Sequence, residues 1–379
     1  MGVTTTHASL TSELQHHVLR EIAQAGGWIG FDRFMALALY TPWLGYYARG
    51  DTQFGHMPSA AGGGDFVTAP ELSPLFGRAL AVQIRQALKM SGTREVWEFG
   101  AGSGVLAAQL LQELGDEVAH YTIVDLSGTL RERQRETLAA FAPKVRWVGE
   151  LPATLQGIVI GNEVLDAMPV KLLARKQGVW HERGIAAGPG AGLAWADRPS
   201  ALRPPCAIEG EHDYMTEIHP VAEAFVRTLA DRLERGAAFF IDYGFPEREY
   251  YHPQRSTGTV MCHRAHRMDS DPLTDLGRKD ITAHVDFTGL ALAAQAAAAS
   301  ADPDESEWLG VLGYTSQARF LLNCGLPQML EAATPQQRTM AQKLIMEHEM
   351  GELFKVIGFC KGAFWNAIGF SQGDRTHTL

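Results

Sequence analysis

One stretch of this 379-residue chain limits its fold more than any other: Val96-Trp97-Glu98-Phe99-Gly100-Ala101-Gly102-Ser103-Gly104-Val105-Leu106-Ala107. It reads as a short apolar strand, a turn with three glycines, and the start of a helix that runs to Leu114. Glycine at alternate positions strips the turn of side chains, so a ligand can approach its backbone. The helix N-terminus that follows offers amide groups to a polar ligand. Asp125 closes the next apolar run, Tyr121-Thr122-Ile123-Val124, about 20 residues beyond the last glycine. Doubly wound folds carry an acid at that offset to hold ribose hydroxyls. Together these parts describe a βαβ unit that binds a nucleoside.

Which nucleoside is less constrained. Gly102-x-Gly104-x-x-Ala107 also fits a dinucleotide fingerprint, which keeps NAD in view. Two features favour S-adenosylmethionine. Glu98 sits in the strand two residues before the first glycine, where an acid can hold an ammonium through a water or the backbone. The motif also begins almost a hundred residues into the chain, whereas dinucleotide domains often begin with theirs. On this reading Gly100, Gly102 and Gly104 take the methionine end, with Glu98, and Asp125 takes the ribose.

Composition narrows the class. A net charge of -10 argues against general nucleic-acid binding, which needs a basic face. The four cysteines (Cys206, Cys262, Cys324, Cys360) are scattered and form no Cys-x-x-Cys, so a reducing compartment without disulfide or zinc is expected. His252, His263, His266 and His284 fit no compact ligand set, and no metal is expected. No apolar run has the length of a membrane span, and the first residues lack a signal peptide's features. A cytoplasmic protein is the expectation.

Ahead of the glycine turn, the spacing predicts helices over Leu10–Ala25 and Ile29–Leu39, then an aromatic turn, Trp43-Leu44-Gly45-Tyr46-Tyr47. Ala48 to Gly64 reads as a loop. The dense turn Asp65-Phe66-Val67-Thr68-Ala69-Pro70-Glu71 follows, and Ser73-Pro74 opens a helix to Met90. A loop and polar turn just before a nucleoside site suit a lid. Thr68 and Pro70 are assigned to its cofactor side.

Beyond Asp125, the helix Thr129–Phe141 is rich in arginine and glutamate and reads as a solvated face. Val145–Val148 and Ile158–Ile160 read as strands, the second running into Gly161-Asn162-Glu163-Val164-Leu165-Asp166. In open α/β sheets ligands lie beyond the carboxyl ends of strands, which brings Asn162, Glu163 and Asp166 into the same cleft. Short alternating runs from Val170 to Pro205 suggest an inserted β-meander. Gly236–Ile241 reads as another parallel strand, ending in Asp242-Tyr243-Gly244, where Tyr243 can offer a ring face to a sulfonium. Leu309–Tyr314 and Phe354–Phe359 read as two late strands of an antiparallel edge, separated by helices over Ser316–Cys324 and Pro335–Met350. The tail from Gly373 is expected to be disordered.

The whole pattern resembles the MidA-like family of S-adenosylmethionine-dependent methyltransferases. The resemblance rests on Gly45-Tyr46-Tyr47, the Asp65–Glu71 turn with Phe76-Gly77, Glu98–Gly104, Asn162-Glu163-x-Leu165-Asp166-Ala167-x-Pro169, Ile241-Asp242-Tyr243-Gly244 and Asp280–Phe287. It implies a class I methyltransferase fold: a seven-stranded, mostly parallel Rossmann-like sheet with an antiparallel edge, helices on both faces, an N-terminal helical segment and an inserted β-rich subdomain. The expected division is 1–92 for the N-terminal helical and lid segment and 93–170 for the cofactor half of the core. The inserted subdomain covers 171–215, the second half of the core 216–372, and the disordered tail 373–379. The resemblance also implies methylation of a protein arginine, in the quinone-site subunit of respiratory complex I, with the mitochondrial matrix as the location of eukaryotic relatives. Glu163, Asp166 and Glu71, in that order, are the candidates to orient a guanidinium, and Asn162 joins the cofactor set. A small-molecule methyltransferase and an assembly chaperone that uses the cofactor as a structural ligand are the alternatives.

Overall fold

Seven strands buried on both faces build the main sheet of the computed structural model, which describes residues 2–49, 68–125, 128–264, 267–299 and 308–379. In chain order they are β1 (Glu95–Phe99), β2 (His120–Val124), β3 (Val145–Val148), β4 (Leu155–Asn162), β5 (Leu233–Phe245), β6 (Leu309–Ser316) and β7 (Phe354–Lys361). Their order across the sheet is β3-β2-β1-β4-β5-β7-β6. The first five are parallel, and β7 pairs antiparallel with both β5 and β6. Val285–Asp286 adds a short parallel pairing at the end of β5. This is the class I methyltransferase architecture that the resemblance implies.

Alternation along the strands divides the core between the two faces. Val96, Ile158, Ile160 and Phe239 pack with helices Pro74–Ser91 and Val105–Leu114. Val159, Ala238, Phe240 and Ile357 pack on the other face with Pro220–Arg232 and Phe287–Ala299. Helix Pro74–Ser91 has the ends its sequence predicts: the Ser73 side chain accepts from the Leu75 N–H, and Gly92 stops the helix with a left-handed φ of 62°.

A second sheet lies in the segment between β4 and β5. Lys171–Lys176, Val179–Ala187, Leu193–Pro199 and Tyr214–Ile218 are antiparallel neighbours. Helices Gly2–Gln24 and Phe31–Tyr40 cover it, with Leu14, Val18, Phe34 and Met35 against Leu172 and Ile185. A third, small sheet joins Met261–Arg264, Arg267–Asp269 and Asp280–Thr282.

Three expectations change. Ile29–Gly30 is not helical; it pairs with Gly184–Ile185, where a Cβ on Gly184 would stand 2.2 Å from the Ile29 carbonyl oxygen, and the helix begins at Phe31. Helix Pro335–Ile345 ends five residues earlier than expected, and Glu347–Gly351 forms a separate wide turn. Most of the expected lid, residues 50–67, and His266 lie outside the described residues.

The tail 373–379 is ordered rather than disordered. Arg375 grips Glu352 with two guanidinium nitrogens, at 2.5 and 3.1 Å, while its N–H donates to the Tyr314 carbonyl at 2.6 Å. The Tyr314 N–H donates to Asp374 at 3.1 Å, and the Thr315 hydroxyl to the Gly373 carbonyl at 2.7 Å. These bonds satisfy the outer edge of β6, which would otherwise stand unpaired. Removing residues 373–379 should lower the melting temperature by a few degrees, as expected for a loss of ~1–2 kcal/mol from a partly exposed ion pair and edge hydrogen bonds. Thermal denaturation of the truncated chain checks this, and an unchanged midpoint would mean that the tail merely rests on the surface.

Candidate active site

The strand order reverses between β1 and β4, which opens a crevice beyond their carboxyl ends. The glycine turn sits there. Gly100, Gly102 and Gly104 have φ of 61°, 52° and 84°, a backbone region that L side chains rarely adopt. The three glycines differ in what they face. A Cβ on Gly104 would lie 3.4 Å from the Gln134 backbone, so this glycine serves helix packing. Around Gly102 the space is open, and Gly100 and Gly102 both line the cavity described below.

Asp125 stands at the end of β2 on the same cavity wall. Its Oδ2 accepts from Gln134 Nε2 at 2.8 Å, and the same nitrogen donates to the Gly102 carbonyl at 3.0 Å. Gln134 Oε1 in turn accepts from Trp147 Nε1 at 2.9 Å. One fully buried amide thus fixes Asp125 relative to the glycine turn. Sequence reading assigned this helix to solvent; the signal was the single uncharged residue in the run Arg131-Glu132-Arg133-Gln134-Arg135-Glu136.

Across the crevice β4 ends in Asn162 and Glu163. Glu163 has φ 55°, an unusual value for a residue with a Cβ. What holds it there is Asp242, buried at the end of β5. Asp242 Oδ2 accepts from the N–H groups of Val164, Leu165 and Asp166 at 3.1, 2.8 and 3.2 Å, and Oδ1 from its neighbour Tyr243 at 2.9 Å. The Glu163 N–H donates to the Ile241 carbonyl at 2.9 Å. Asp242 therefore shapes the turn that presents Glu163 and Asp166, a role sequence reading did not give it.

The carboxyls of this cluster share few charges. Burial, then the Asp166 carboxylate, pushes Glu163 up to about 8, against hydrogen bonds from Asn162 and the Ala69 backbone. Burial pushes Asp166 up to about 6, against a hydrogen bond from Tyr243. Asp242 is raised by burial and by both neighbours, and its backbone donors oppose this. The cluster consequently holds at least one proton at neutral pH.

Asn162, Glu163 and Asp166 face one cavity of about 1760 Å³. Drug-sized ligands occupy pockets of roughly 300–1,000 Å³, so the space takes a nucleoside and part of a second molecule. Thr68, Gly100, Gly102, Asp125, Asn162, Glu163, Asp166 and Tyr243 line it. On the far side the Tyr47 hydroxyl donates to both Asp280 oxygens at 2.8 Å, and Tyr40, stacked on Tyr47, donates to the Ala167 carbonyl at 2.8 Å. His284, edge-on to Tyr243, lies in the same wall; burial lowers it to about 4, which keeps the ring neutral.

Four sequence candidates are not on that wall. Glu98 is buried behind the turn, where its carboxyl accepts the Tyr121 hydroxyl at 2.8 Å and burial pushes it up to about 8. Glu71 accepts the Ser103 hydroxyl, and the Pro70 carbonyl accepts Gln109 Nε2 at 2.9 Å. Both contacts tie the short helix Ala69–Leu72 to the glycine turn and helix Val105–Leu114. Gly104 faces Gln134, as noted. Among the described residues no three His, Cys, Asp or Glu side chains cluster in a way that could hold a metal.

The wall fits S-adenosylmethionine. It offers glycine backbone with open space at Gly102, the Asp125 carboxyl on the same wall at the end of the next strand, and a buried Asn162 Oδ1 with no partner, which suits a donor such as an ammonium. A family of S-adenosyl-L-methionine-dependent methyltransferases matches residues 76–303, more than half of the chain. A Burkholderia thailandensis protein, crystallised with S-adenosyl-homocysteine, is 48% identical, with a TM-score of 0.90 over 99% of this chain and 98% of that one. Curated relatives include the Danio rerio protein arginine methyltransferase NDUFAF7, mitochondrial, 25% identical over 93% of this chain and 88% of that protein. Its Drosophila melanogaster homologue is 29% identical over 74% and 69%. The glycine turn, the ordered acid at the end of β2 and the sheet order all agree with the match, and the chain belongs to the S-adenosyl-L-methionine-dependent methyltransferase family.

Proposed function

We propose that the chain methylates an arginine nitrogen of a protein, with the quinone-site subunit of complex I as the substrate toward which the family resemblance points, and that it acts in the cytoplasm. The observation that carries this reading is the carboxyl pair Glu163 and Asp166, facing a cavity with room beside the cofactor wall. The names of the curated relatives, protein arginine methyltransferases, support it.

Bound S-adenosylmethionine supplies a methyl carbon already activated by its sulfonium. The chain's own residues have two tasks, to hold both reactants in line and to manage charge. Asp125, fixed by Gln134, would hold the ribose, with Gly100, Gly102 and Asn162 around the methionine end and Thr68 beside it. A guanidinium is protonated at any working pH and is a poor nucleophile until oriented. Glu163 and Asp166 can orient it through charge-assisted hydrogen bonds. As the nitrogen attacks the methyl carbon, the carbon–sulfur bond breaks toward sulfur. The proton lost from that nitrogen finds its acceptor in the carboxyl pair. Glu71, engaged by Ser103, is left to brace the glycine turn rather than to touch substrate. The N-terminal segment and the inserted β-rich segment would form the substrate side, with 93–170 as the cofactor half.

The direct test incubates the protein with methyl-labelled S-adenosylmethionine and lysate of cells that lack this gene, then hydrolyses the protein fraction. Methylarginine in one protein is expected; label in metabolites alone would reject the reading. Changing Asp125 to Ala should weaken S-adenosylmethionine binding roughly tenfold or more by calorimetry, the size of one lost charged hydrogen bond, and Gln134→Ala should follow in the same direction. Affinity within twofold of wild type would remove Asp125 from the ribose site.

Glu163→Gln should leave S-adenosylmethionine affinity intact and lower turnover about 100-fold. It should also change the pH profile. Glu163 titrates near 8 and acts as its carboxylate, so wild-type kcat/KM should rise with pH up to about 8 and fall away below it. That limb should vanish in the Gln variant. A limb that persists would belong to another group.

A further inference from the structure

The mouth of the cavity is apolar in a way the chemistry does not require. Twelve large apolar side chains are exposed among the described residues, and four of them, Tyr40, Trp43, Met268 and Leu353, line this one cavity. Trp43 and Met268 are each 75% exposed and Leu353 51%. They come from the turn after helix Phe31–Tyr40, from the third sheet, and from the residue before β7. Single exposed apolar residues need no explanation, but a convergent set around a ligand cavity marks an interaction surface.

Trp43 carries the stronger signal. Its φ is 66°, a backbone region that a bulky aromatic rarely adopts. The turn that holds it there is tightly built: the Leu44 and Gly45 N–H groups both donate to the Thr41 carbonyl, at 3.1 and 2.7 Å. A Cβ on Gly45 would stand 2.6 Å from the Leu39 carbonyl, so the turn admits only glycine there. A strained residue whose side chain is left in solvent contributes nothing to the core. Such strain is characteristic of ligand contacts.

Inside this rim the wall changes character, to Asp280 with Tyr47 and to Asp166 with Tyr243. Carboxylates and tyrosine rings suit a cationic side chain. We propose that the rim is the docking surface for an extended polypeptide segment whose methyl-accepting cationic residue is flanked by apolar residues. The rim meets the flanks, and the acidic interior takes the cationic side chain. The proposal rests on the protein-methylation reading and names the kind of segment that site accepts. Continuity of the rim with the cofactor cavity is what selects this occupant over a second copy of the chain.

The test compares the wild-type protein with a variant carrying W43S, M268S and L353S, each given methyl-labelled S-adenosylmethionine and the same gene-deleted lysate. Tyr40 is spared because its hydroxyl holds the Ala167 carbonyl. S-adenosyl-homocysteine affinity should stay within twofold and the melting temperature should not move. With the protein that wild type labels, purified, the variant's KM should rise tenfold or more. Peptide mapping of the labelled site should find apolar residues within two positions of the methylated one. If the triple variant does not fold, M268S with L353S should still raise KM several-fold. Equal labelling of the protein by wild type and folded variant, or a modified residue set among charged neighbours, would overturn the docking surface while leaving the methylation reading intact. Label confined to small or solvent-extractable molecules would instead reject that reading, and the docking proposal with it.

Discussion

The candidate active site hangs on one buried carboxyl group. Asp242 leaves β5 and collects three consecutive N–H groups from the turn that follows β4. Few arrangements fix a turn more tightly, because one oxygen of a fully buried side chain satisfies three consecutive backbone donors that would otherwise be left unpaired. The turn then has one conformation, Glu163 is held at a positive φ, and Asp166 is directed into the cavity. Two adjacent parallel strands therefore act as one unit at their carboxyl ends. The candidate carboxyls follow β4, and β5 keeps them in place.

The cofactor side uses the same device with neutral groups. Gln134 spans the Gly102 carbonyl, the Asp125 carboxyl and the Trp147 indole, so the helix after β2 reports to strands β2 and β3 and to the glycine turn together. Both halves of the cavity are thus set by buried polar groups whose hydrogen bonds are almost fully used. Satisfied networks of this kind impose a unique geometry. The Asn162 Oδ1, buried without a partner, departs from that rule on the very wall that faces the cofactor.

The sheet and the cofactor wall were largely legible in the sequence, because they depend on short-range patterns. Apolar runs of strand length, glycines before Val105 and an acid at the end of the next run need no long-range information. The polar residues that follow β4 were legible for the same reason. What was not legible depends on distant partners. Tyr47 and Asp280 meet across 233 residues of sequence, and nothing in either stretch announces the other. Gln134 is hidden inside a run of charges, and the two strand residues Ile29 and Gly30 owe their state to Gly184 and Ile185. Glu98 and Glu71 have structural partners that the sequence does not announce: Glu98 accepts from Tyr121 of the next strand, and Glu71 from Ser103 of the glycine turn. The ordered tail depends on Glu352, which no reading of the last seven residues could supply.

Glu98 has a further effect, on the proton balance of the folded chain. With the carboxyl raised to about 8 by burial behind the glycine turn, it stays neutral where an unfolded chain would ionise it. Glu163 behaves alike. At pH 7 these two groups hold protons that the formal charge of -10 counts as lost, so the native protein is less acidic than that figure. The sign of the linkage follows: these two groups favour the folded state fully below the unfolded carboxyl range, and that contribution declines as pH rises from about 4.5 to 8. Folding takes up protons, and a mildly acidic solution supports the very groups that an alkaline one would leave charged in the interior.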